Sequence, residues 1–291
     1  MRGGRMKVDD VKVVGVLGAG TMGNGIAQVC AAAGFEVVMR DIEQKFVDRG
    51  METIKKSLSK FVEKGKISQD DMDSILSRIK PTLEMKDLEN ADLVIEAVIE
   101  NMDVKKAVIK ELNELVKNDD AIFASNTSTL SITEMAAVSR KPENFVGIHF
   151  MNPVPLMRGV EIVRGLLTSD ETLNFAVEFV KKIGKEPVVC KDSAGFISNR
   201  ILMPWVNEGI YVLYEGIATK EEIDKGMRLF TNVPMGPLEL ADLIGLDIVL
   251  AAVETLHREL GDKYKPCPLL KQMVAAGLLG RKTGRGFYEY K

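Results

Sequence analysis

A chain of 291 residues exceeds the roughly 100 to 150 residues of a typical domain and is read as two cores. Its 39 basic and 42 acidic side chains leave a net charge of -3, which gives no overall field for a polyanion and speaks against a nucleic-acid partner. No apolar run reaches the roughly 20 residues of a membrane span, and the opening MRGGRMKVDD lacks the apolar stretch of a secretory signal, so a cytoplasmic protein with no membrane partner is expected.

The three cysteines, Cys30, Cys190 and Cys267, lie too far apart in sequence for a disulfide framework or a paired-ligand zinc spacing, and no metal site is expected. Only two histidines occur, His149 and His257, so a reaction that needs an imidazole has few candidates.

In chain order, VKVVGVL from Val11 reads as a strand, the segment after Gly23 as a helix and FEVVMRD as a second strand, the pattern of a βαβ unit. Phe46 to Ile79 breaks the alternation. Apolar residues at Val47, Met51, Ile54, Leu58 and Phe61, then beyond Gly65 at Met72, Ile75, Leu76 and Ile79, recur every three or four positions. That spacing predicts a hairpin of two amphipathic helices, with Ser68 capping the second.

Strands are expected again at ADLVIEAV, AIFAS, NFVGIHF, VEIVRG and EPVVC, with helices over Asp103 to Val116 and Asp170 to Ile183. Near-continuous apolar strands predict a mostly parallel sheet covered on both faces. After Cys190 helical signals take over: Phe196 to Tyr214, a capping box of Thr219 and Glu222 opening the next helix, and Asp247 to Leu260. The predicted architecture is a Rossmann-type α/β domain over 1–190, with the hairpin at 46–79 inserted, followed by an all-α domain over 191–291. The junction falls near Lys191 to Gly195.

The segment VVGVLGAGTMGNGIAQVCAAAGFEVVMRD places Gly18, Gly20 and Gly23 between a strand and a helix, with Asp41 ending the next strand. This is a dinucleotide-binding arrangement: Gly18 allows a tight turn, Gly20 lets the backbone approach a pyrophosphate, and Gly23 lets the helix pack on the strand. Thr21 and Met22 complete the loop, whose N–H groups and helix dipole suit an anion. Asp41 would accept hydrogen bonds from the ribose hydroxyls and repel a 2′-phosphate, which favours NAD over NADP; the neighbouring Arg40 softens that preference.

His149 closes the strand NFVGIHF and precedes the turn-rich MNPVP, at the sheet edge where open α/β sheets bind ligands. An imidazole suits abstraction of an alcohol proton while hydride leaves the same carbon, although a histidine at a strand end, taken alone, reads more readily as a structural residue. Glu161 in VEIVRG can fix its tautomer and stabilise an imidazolium, or be a plain strand-end carboxylate, and Ser128 in SNTST can be a site residue or a turn residue. On the hairpin, Ser57, Lys60 and Lys64 share a polar face that reads as a solvated lysine face or as a phosphate contact.

Taken together, the segments GAGTMGNGIAQ, DLVIEAVIENMDVKK, FASNTSTLSIT, GIHFMNPVP with Glu161 after it, KDSAGFISNRIL, PMGPLELADLIGLD and GRKTGRGFYEY resemble the 3-hydroxyacyl-CoA dehydrogenase family over nearly the whole chain. Within it the likeness is greatest to the bacterial, short-chain 3-hydroxybutyryl-CoA branch. The resemblance implies NAD-dependent oxidation of an (S)-3-hydroxyacyl-CoA to the 3-oxoacyl-CoA and its reverse. It implies His149 as general base with Glu161 orienting it, and Ser128 and Asn199 bonded to the substrate's 3-oxygen.

By the same likeness Glu100, Lys105, Ser128, Asn152 and Lys282 approach the nicotinamide half of NAD, Ser57 and Lys64 meet the CoA nucleotide, and two copies of the chain pair through the helical domain. The chain departs from the family pattern in FMNP where FFNP is common, and in Arg158 and Gly159 where lysine and leucine are usual; Gly159 bears on how firmly the segment before Glu161 is held. Two other readings share a dinucleotide domain followed by helices: a hydroxy-acid dehydrogenase with a lysine base, against which HFMNP with Glu161 speaks, and an NAD-binding protein without activity.

Overall fold

The computed structural model describes residues 6–290; the first five residues of the opening segment read above for a secretory signal, and Lys291, lie outside them. The chain divides into two compact units, one up to Asp192 and one from Ser193 onward.

The first unit is built on a sheet of eight strands among the described residues: β1 (Val13–Leu17), β2 (Glu36–Arg40), β3 (Ile79–Thr82), β4 (Leu93–Glu96), β5 (Ile122–Ser125), β6 (Phe145–Phe150), β7 (Gly159–Arg164) and β8 (Glu186–Lys191). Their spatial order is β3-β2-β1-β4-β5-β6-β7-β8, and every pair is parallel except β6 with β7. The order reverses between β1 and β4, which opens a crevice at the carboxyl ends of the strands. Six helices accompany the sheet among the described residues: α1 (Thr21–Ala32), α2 (Gln44–Glu63), α3 (Gln69–Ser77), α4 (Met102–Leu115), α5 (Ile132–Ala136) and α6 (Asp170–Lys182).

Strand alternation decides which side chains can do chemistry. Ile148 and Phe150 of β6 and Val160 and Ile162 of β7 share one core with Ile26 of α1 and Phe175 and Phe179 of α6. His149 and Glu161 alternate with them and point to the opposite face of the sheet.

The hairpin forms as α2 and α3. Val47, Ile54 and Leu58 of α2 are buried, and truncating a residue as enclosed as Leu58 would cost about 2–5 kcal/mol. Ser68 caps α3 by accepting from Asp71 N, while the Asp71 carboxylate accepts from Ser68 N at 2.9 Å. One expectation is corrected at its end. Ile79 is not the last helical position but opens β3, whose ladder pairs Val37 with Ile79 through Arg40 with Thr82 and gives β2 an outer neighbour.

The division between the units falls after Asp192. β8 continues past Cys190, and the Asp192 carboxylate accepts from Ser131 Oγ and Thr133 N, both at 2.8 Å, so the strand and its end belong to the first unit.

The second unit consists of α7 (Ser198–Tyr214), α8 (Lys220–Thr231), α9 (Pro237–Ile244), α10 (Leu246–Leu260) and α11 (Pro268–Ala275) among its described residues. Its core gathers Val206 and Ile210 of α7, Leu238 and Ala241 of α9, Val249, Val253 and Leu256 of α10 and Leu270 of α11. α7 starts two residues later than the apolar pattern suggests, because Phe196 has a φ of 49° and stands outside helical geometry. Thr219 caps α8 by accepting from Glu222 N at 3.4 Å. No helix among the described residues is long and apolar enough to cross a membrane.

Candidate active site

Five parallel strands, in the order β2, β1, β4, β5, β6, end on one edge of the sheet and deliver the candidate residues in a row. At ~4.8 Å per strand the row spans about 19 Å. It runs from Asp41 after β2, through Gly18 to Gly20 after β1, Glu96 to Glu100 at β4 and Ser125 to Thr129 at β5, to His149 on β6.

The glycine loop has the shape its sequence demands. Gly18 has a φ of 96°, and a Cβ there would lie 2.6 Å from the Ala97 carbonyl oxygen. A Cβ on Gly23 would strike the Gly18 carbonyl oxygen, so only glycine lets α1 start this close to β1. Gly20 has nothing within 4 Å of where its Cβ would be, and it forms the N-cap of α1 without a side-chain cap. The positive end of this twelve-residue helix therefore carries no side-chain cap, which fits the pyrophosphate of a dinucleotide. Asp41 braces the loop by accepting from Ala19 N through one carboxylate oxygen and from Ile42 N through the other, both at 2.7 Å. Arg40 turns its Nε to the Leu83 carbonyl at 3.0 Å.

His149 and Glu161 are direct partners in the antiparallel ladder of β6 and β7, which puts their side chains side by side on one face. His149 Nδ1 lies 2.7 Å from Glu161 Oε2, and the two residues are 7 % and 4 % exposed. Below them Gly147 makes room for Val163 and Ile132, since a Cβ at 147 would come within 2.6 Å of Val163 and 2.9 Å of Ile132. Asn126 Oδ1 accepts from Phe150 N at 2.9 Å and ties the end of β6 to the segment after β5. Gly159 opens β7 as a ladder partner of Glu186 and leaves Glu161 in register, so this departure from the family pattern does not displace the pair.

The segments after β4 and β5 are joined through Glu100. Its Oε1 accepts from Thr127 Oγ1 at 2.5 Å, Ser128 N at 3.1 Å, and Thr129 N and Oγ1 at 3.3 and 3.1 Å. Burial works to raise the Glu100 carboxyl, but the Lys105 charge and these hydrogen bonds outweigh it and hold the group below its ordinary value. Lys105 is 1 % exposed and bonded to Glu96, which is equally buried.

Asn152 follows β6 in the segment whose carbonyls at Val154 and Met157 are held by Lys185 Nζ at 2.7 and 2.6 Å, and burial lowers the affinity of that ammonium for its proton. Asn199 stands in the first turn of α7 and Lys282 in a 3-10 turn near the end of the chain, both in the second unit. Lys282 Nζ is held by the Asp247 carboxylate at 2.5 and 2.6 Å. Ser57 and Phe61 of α2 and Lys64, which caps its C-terminal end, follow one another at helical spacing, and Phe61 lines a cavity of about 390 Å³ with Gln28, Leu58, Ile67, Pro155 and Lys185. Among the described residues no cluster of histidine, cysteine or acidic side chains is arranged to hold a metal ion.

The sequence reading did not single out Glu96, Ser125, Asn126, Thr127 or Lys185. A signal existed for Glu96, because an acid ending the apolar run LVIE needs a buried partner.

Comparison with known proteins agrees with this layout. The family described as 3-hydroxyacyl-CoA dehydrogenase, NAD binding domain, matches residues 13–193, and its companion, 3-hydroxyacyl-CoA dehydrogenase, C-terminal domain, matches residues 195–290. A 3-hydroxybutyryl-CoA dehydrogenase of Bradyrhizobium diazoefficiens is 51 % identical over 97 % of this chain and 96 % of its own length. The mitochondrial hydroxyacyl-coenzyme A dehydrogenase of Sus scrofa is 41 % identical over 97 % and 92 %. The crystal structure of the (S)-3-hydroxybutyryl-CoA dehydrogenase PaaH1 from Ralstonia eutropha superposes with a TM-score of 0.92 at 50 % identity, covering 97 % of this chain and 99 % of that one. The glycine cradle, the two matched halves and these full-length likenesses together place the chain in the 3-hydroxyacyl-CoA dehydrogenase family, with its first unit as the NAD-binding domain.

Proposed function

We propose that this chain interconverts (S)-3-hydroxybutyryl-CoA and acetoacetyl-CoA with NAD, using His149 as the base and Glu161 as the group that orients it. The observation that carries this reading is the buried 2.7 Å contact between His149 Nδ1 and Glu161 Oε2, at the sheet edge that the glycine loop opens. A carboxylate on Nδ1 fixes the proton there in the neutral ring and places the basic lone pair on Nε2. NAD, when bound, supplies the hydride acceptor.

In the oxidising direction His149 Nε2 takes the proton of the 3-hydroxyl as the C3–H pair of electrons leaves as hydride, and the C3–O bond becomes a carbonyl. Glu161 balances the positive charge that the ring acquires. In the reverse direction the imidazolium returns the proton to the 3-oxygen. Ser128 and Asn199 bind that oxygen, and Gly18, Gly20, Thr21, Met22, Gly23, Asp41, Glu100, Lys105, Asn152 and Lys282 serve the cofactor. Ser57 and Lys64 take the CoA nucleotide, a role supported by the cavity that Leu58 and Phe61, close to them in the chain, help to line. The protein works in the cytoplasm as a pair of copies joined through the helical unit, a reading supported by the exposed apolar side chains Ile217, Leu229 and Phe230, at 67 %, 71 % and 82 %.

The test is oxidation of NADH and of NADPH by the purified protein with acetoacetyl-CoA and, separately, with free acetoacetate. Turnover is expected with NADH and the CoA ester. Equal rates on free acetoacetate, or a preference for NADPH, would overturn the proposed substrate or cofactor respectively.

A further inference from the structure

Glu96 ends β4 and Lys105 lies on the first turns of α4; each is 1 % exposed. Enclosing two charges is costly unless both are fully bonded, and an apolar pair of similar volume often fills such a space as well or better. The partners of this pair point to a use for the charges. Lys105 Nζ lies 2.9 and 2.8 Å from the two Glu96 oxygens, 3.4 Å from the Val98 carbonyl and 3.4 Å from Glu100 Oε2. Glu100 passes the connection on to Thr127, Ser128 N and Thr129. From the other end of the same segment, Glu96 accepts the hydroxyl of Ser125, whose Oγ in turn accepts from Thr127 N at 3.1 Å.

Two routes thus converge: Glu96 to Lys105 to Glu100 to Ser128, and Glu96 to Ser125 to Thr127. We infer that Glu96 is a positioning residue that fixes the segment Ser125 to Thr129, and Ser128 within it, through Lys105 and Glu100 on one side and Ser125 on the other. Glu96 does this from inside the core, at the end of a strand. This inference rests on the reading of Ser128 as a contact for the substrate's 3-oxygen. A displacement of Ser128 by about 1 Å would be felt mainly in the chemical step, where such shifts cost on the order of 100-fold.

The experiment compares wild type with Glu96→Gln and with the double variant Glu96→Leu/Lys105→Met. The double variant removes both charges and keeps the volume, so it is expected to fold even where Glu96→Gln, which strands the ammonium, does not. Expected for the double variant is a kcat for acetoacetyl-CoA reduction lower by on the order of 100-fold. At saturating NADH its KM for the ester should stay within about threefold, the split that marks loss of an interaction made in the transition state. Amide hydrogen exchange at Ser128 and Thr129, whose N–H groups donate to Glu100, should accelerate by about tenfold or more. Wild-type kcat in the folded double variant, or exchange at Ser128 and Thr129 unchanged, would overturn the inference; so would a double variant that cannot fold, since the pair would then serve the core. A wild-type protein that does not reduce acetoacetyl-CoA fails the proposed function instead, and the exchange rates still decide the role of Glu96.

Discussion

Both units bury carboxylates, and they face them differently. In the sheet-bearing unit Glu161 meets an imidazole and Glu96 an ammonium, both near the edge where the strands end. In the helical unit Asp224 and Asp242, each 1 % exposed, meet backbone N–H groups and tyrosine hydroxyls. Asp224 accepts from Leu238 N, Glu239 N and Tyr288 Oη at 2.8, 3.0 and 2.7 Å, holding the first turn of α9 to the tail of the chain. Asp242 accepts from Phe287 N, Tyr288 N and Tyr290 Oη, all at 2.9 Å. Burial raises the Asp224 carboxyl, and burial with the Asp242 bond pushes the Tyr290 hydroxyl up to about 12. A buried acid is thus no sign of chemistry by itself. The imidazole beside Glu161 is the partner that fits our proposed reactive pair, whereas backbone N–H and tyrosine partners make Asp224 and Asp242 structural clasps.

The sharpest way to break this contrast is to remove the proposed base. His149→Gln should lower kcat for acetoacetyl-CoA reduction by about 10³-fold, or ~4 kcal/mol in the barrier, within the range of general acid–base catalysis. Circular dichroism should show an unchanged fold, because glutamine keeps the volume and can still bond Glu161. A kcat within tenfold of wild type would mean that the buried pair is itself a clasp.

Next in size is the opposite case. Asp242→Ala removes the acceptor for three donors that no water reaches easily, and should cost about 3 kcal/mol of stability. Trp205 in α7 is the only tryptophan in the chain and reports the unfolding of its own unit in urea. A loss under about 1 kcal/mol would show that the tail docks through its apolar contacts alone.

How far these roles can be read from sequence follows the same division. The glycines of the cofactor loop, the acid after β2, and the alternation that sets His149 and Glu161 against an apolar face are local patterns, and each survives in a string of letters. The register that makes His149 and Glu161 direct partners depends on β7 turning back antiparallel, which no local pattern states. β3 was hidden because its four residues, IKPT, include an exposed lysine and a proline and become a strand only beside β2. Glu96, Ser125 and Lys185 escaped for a related reason: their meaning lies in a lysine nine positions on, an acid 29 positions back and the carbonyls of a distant segment. Asp224 and Asp242 sit in helices legible from their apolar stripes, and those stripes carry no information about the tail they will hold.

Glu161→Gln should come third. The amide keeps a hydrogen bond to Nδ1 but no longer balances an imidazolium, so kcat should fall by about 100-fold, ~2.7 kcal/mol, with KM for the CoA ester changed by less than about threefold. Rises in KM as large as the fall in kcat would indicate a collapsed pocket instead of a lost charge, and would weaken the distinction between reactive pair and clasp.

The smallest effect tests Glu100, which stands between the two classes because it has a lysine on one oxygen and hydroxyl and backbone donors on the other. Its carboxyl is held below the ordinary value despite the opposing pull of burial, through the Lys105 charge and the bonds from Thr127, Ser128 and Thr129. For an acid depressed in the folded state, the unfolded chain binds more protons in the interval between the two values. The stabilisation is then full above the unfolded value of about 4.3 and is lost as pH falls through the lower, folded value. Glu100→Gln cannot lose what it never had, so the gap in melting temperature between wild type and variant should be constant from pH 7 to about pH 5 and shrink below about pH 4.3. A gap that persists into acid would show that the hydrogen bonds to Ser128 and Thr129 do not depend on the carboxylate charge, and would move Glu100 to the side of the clasps.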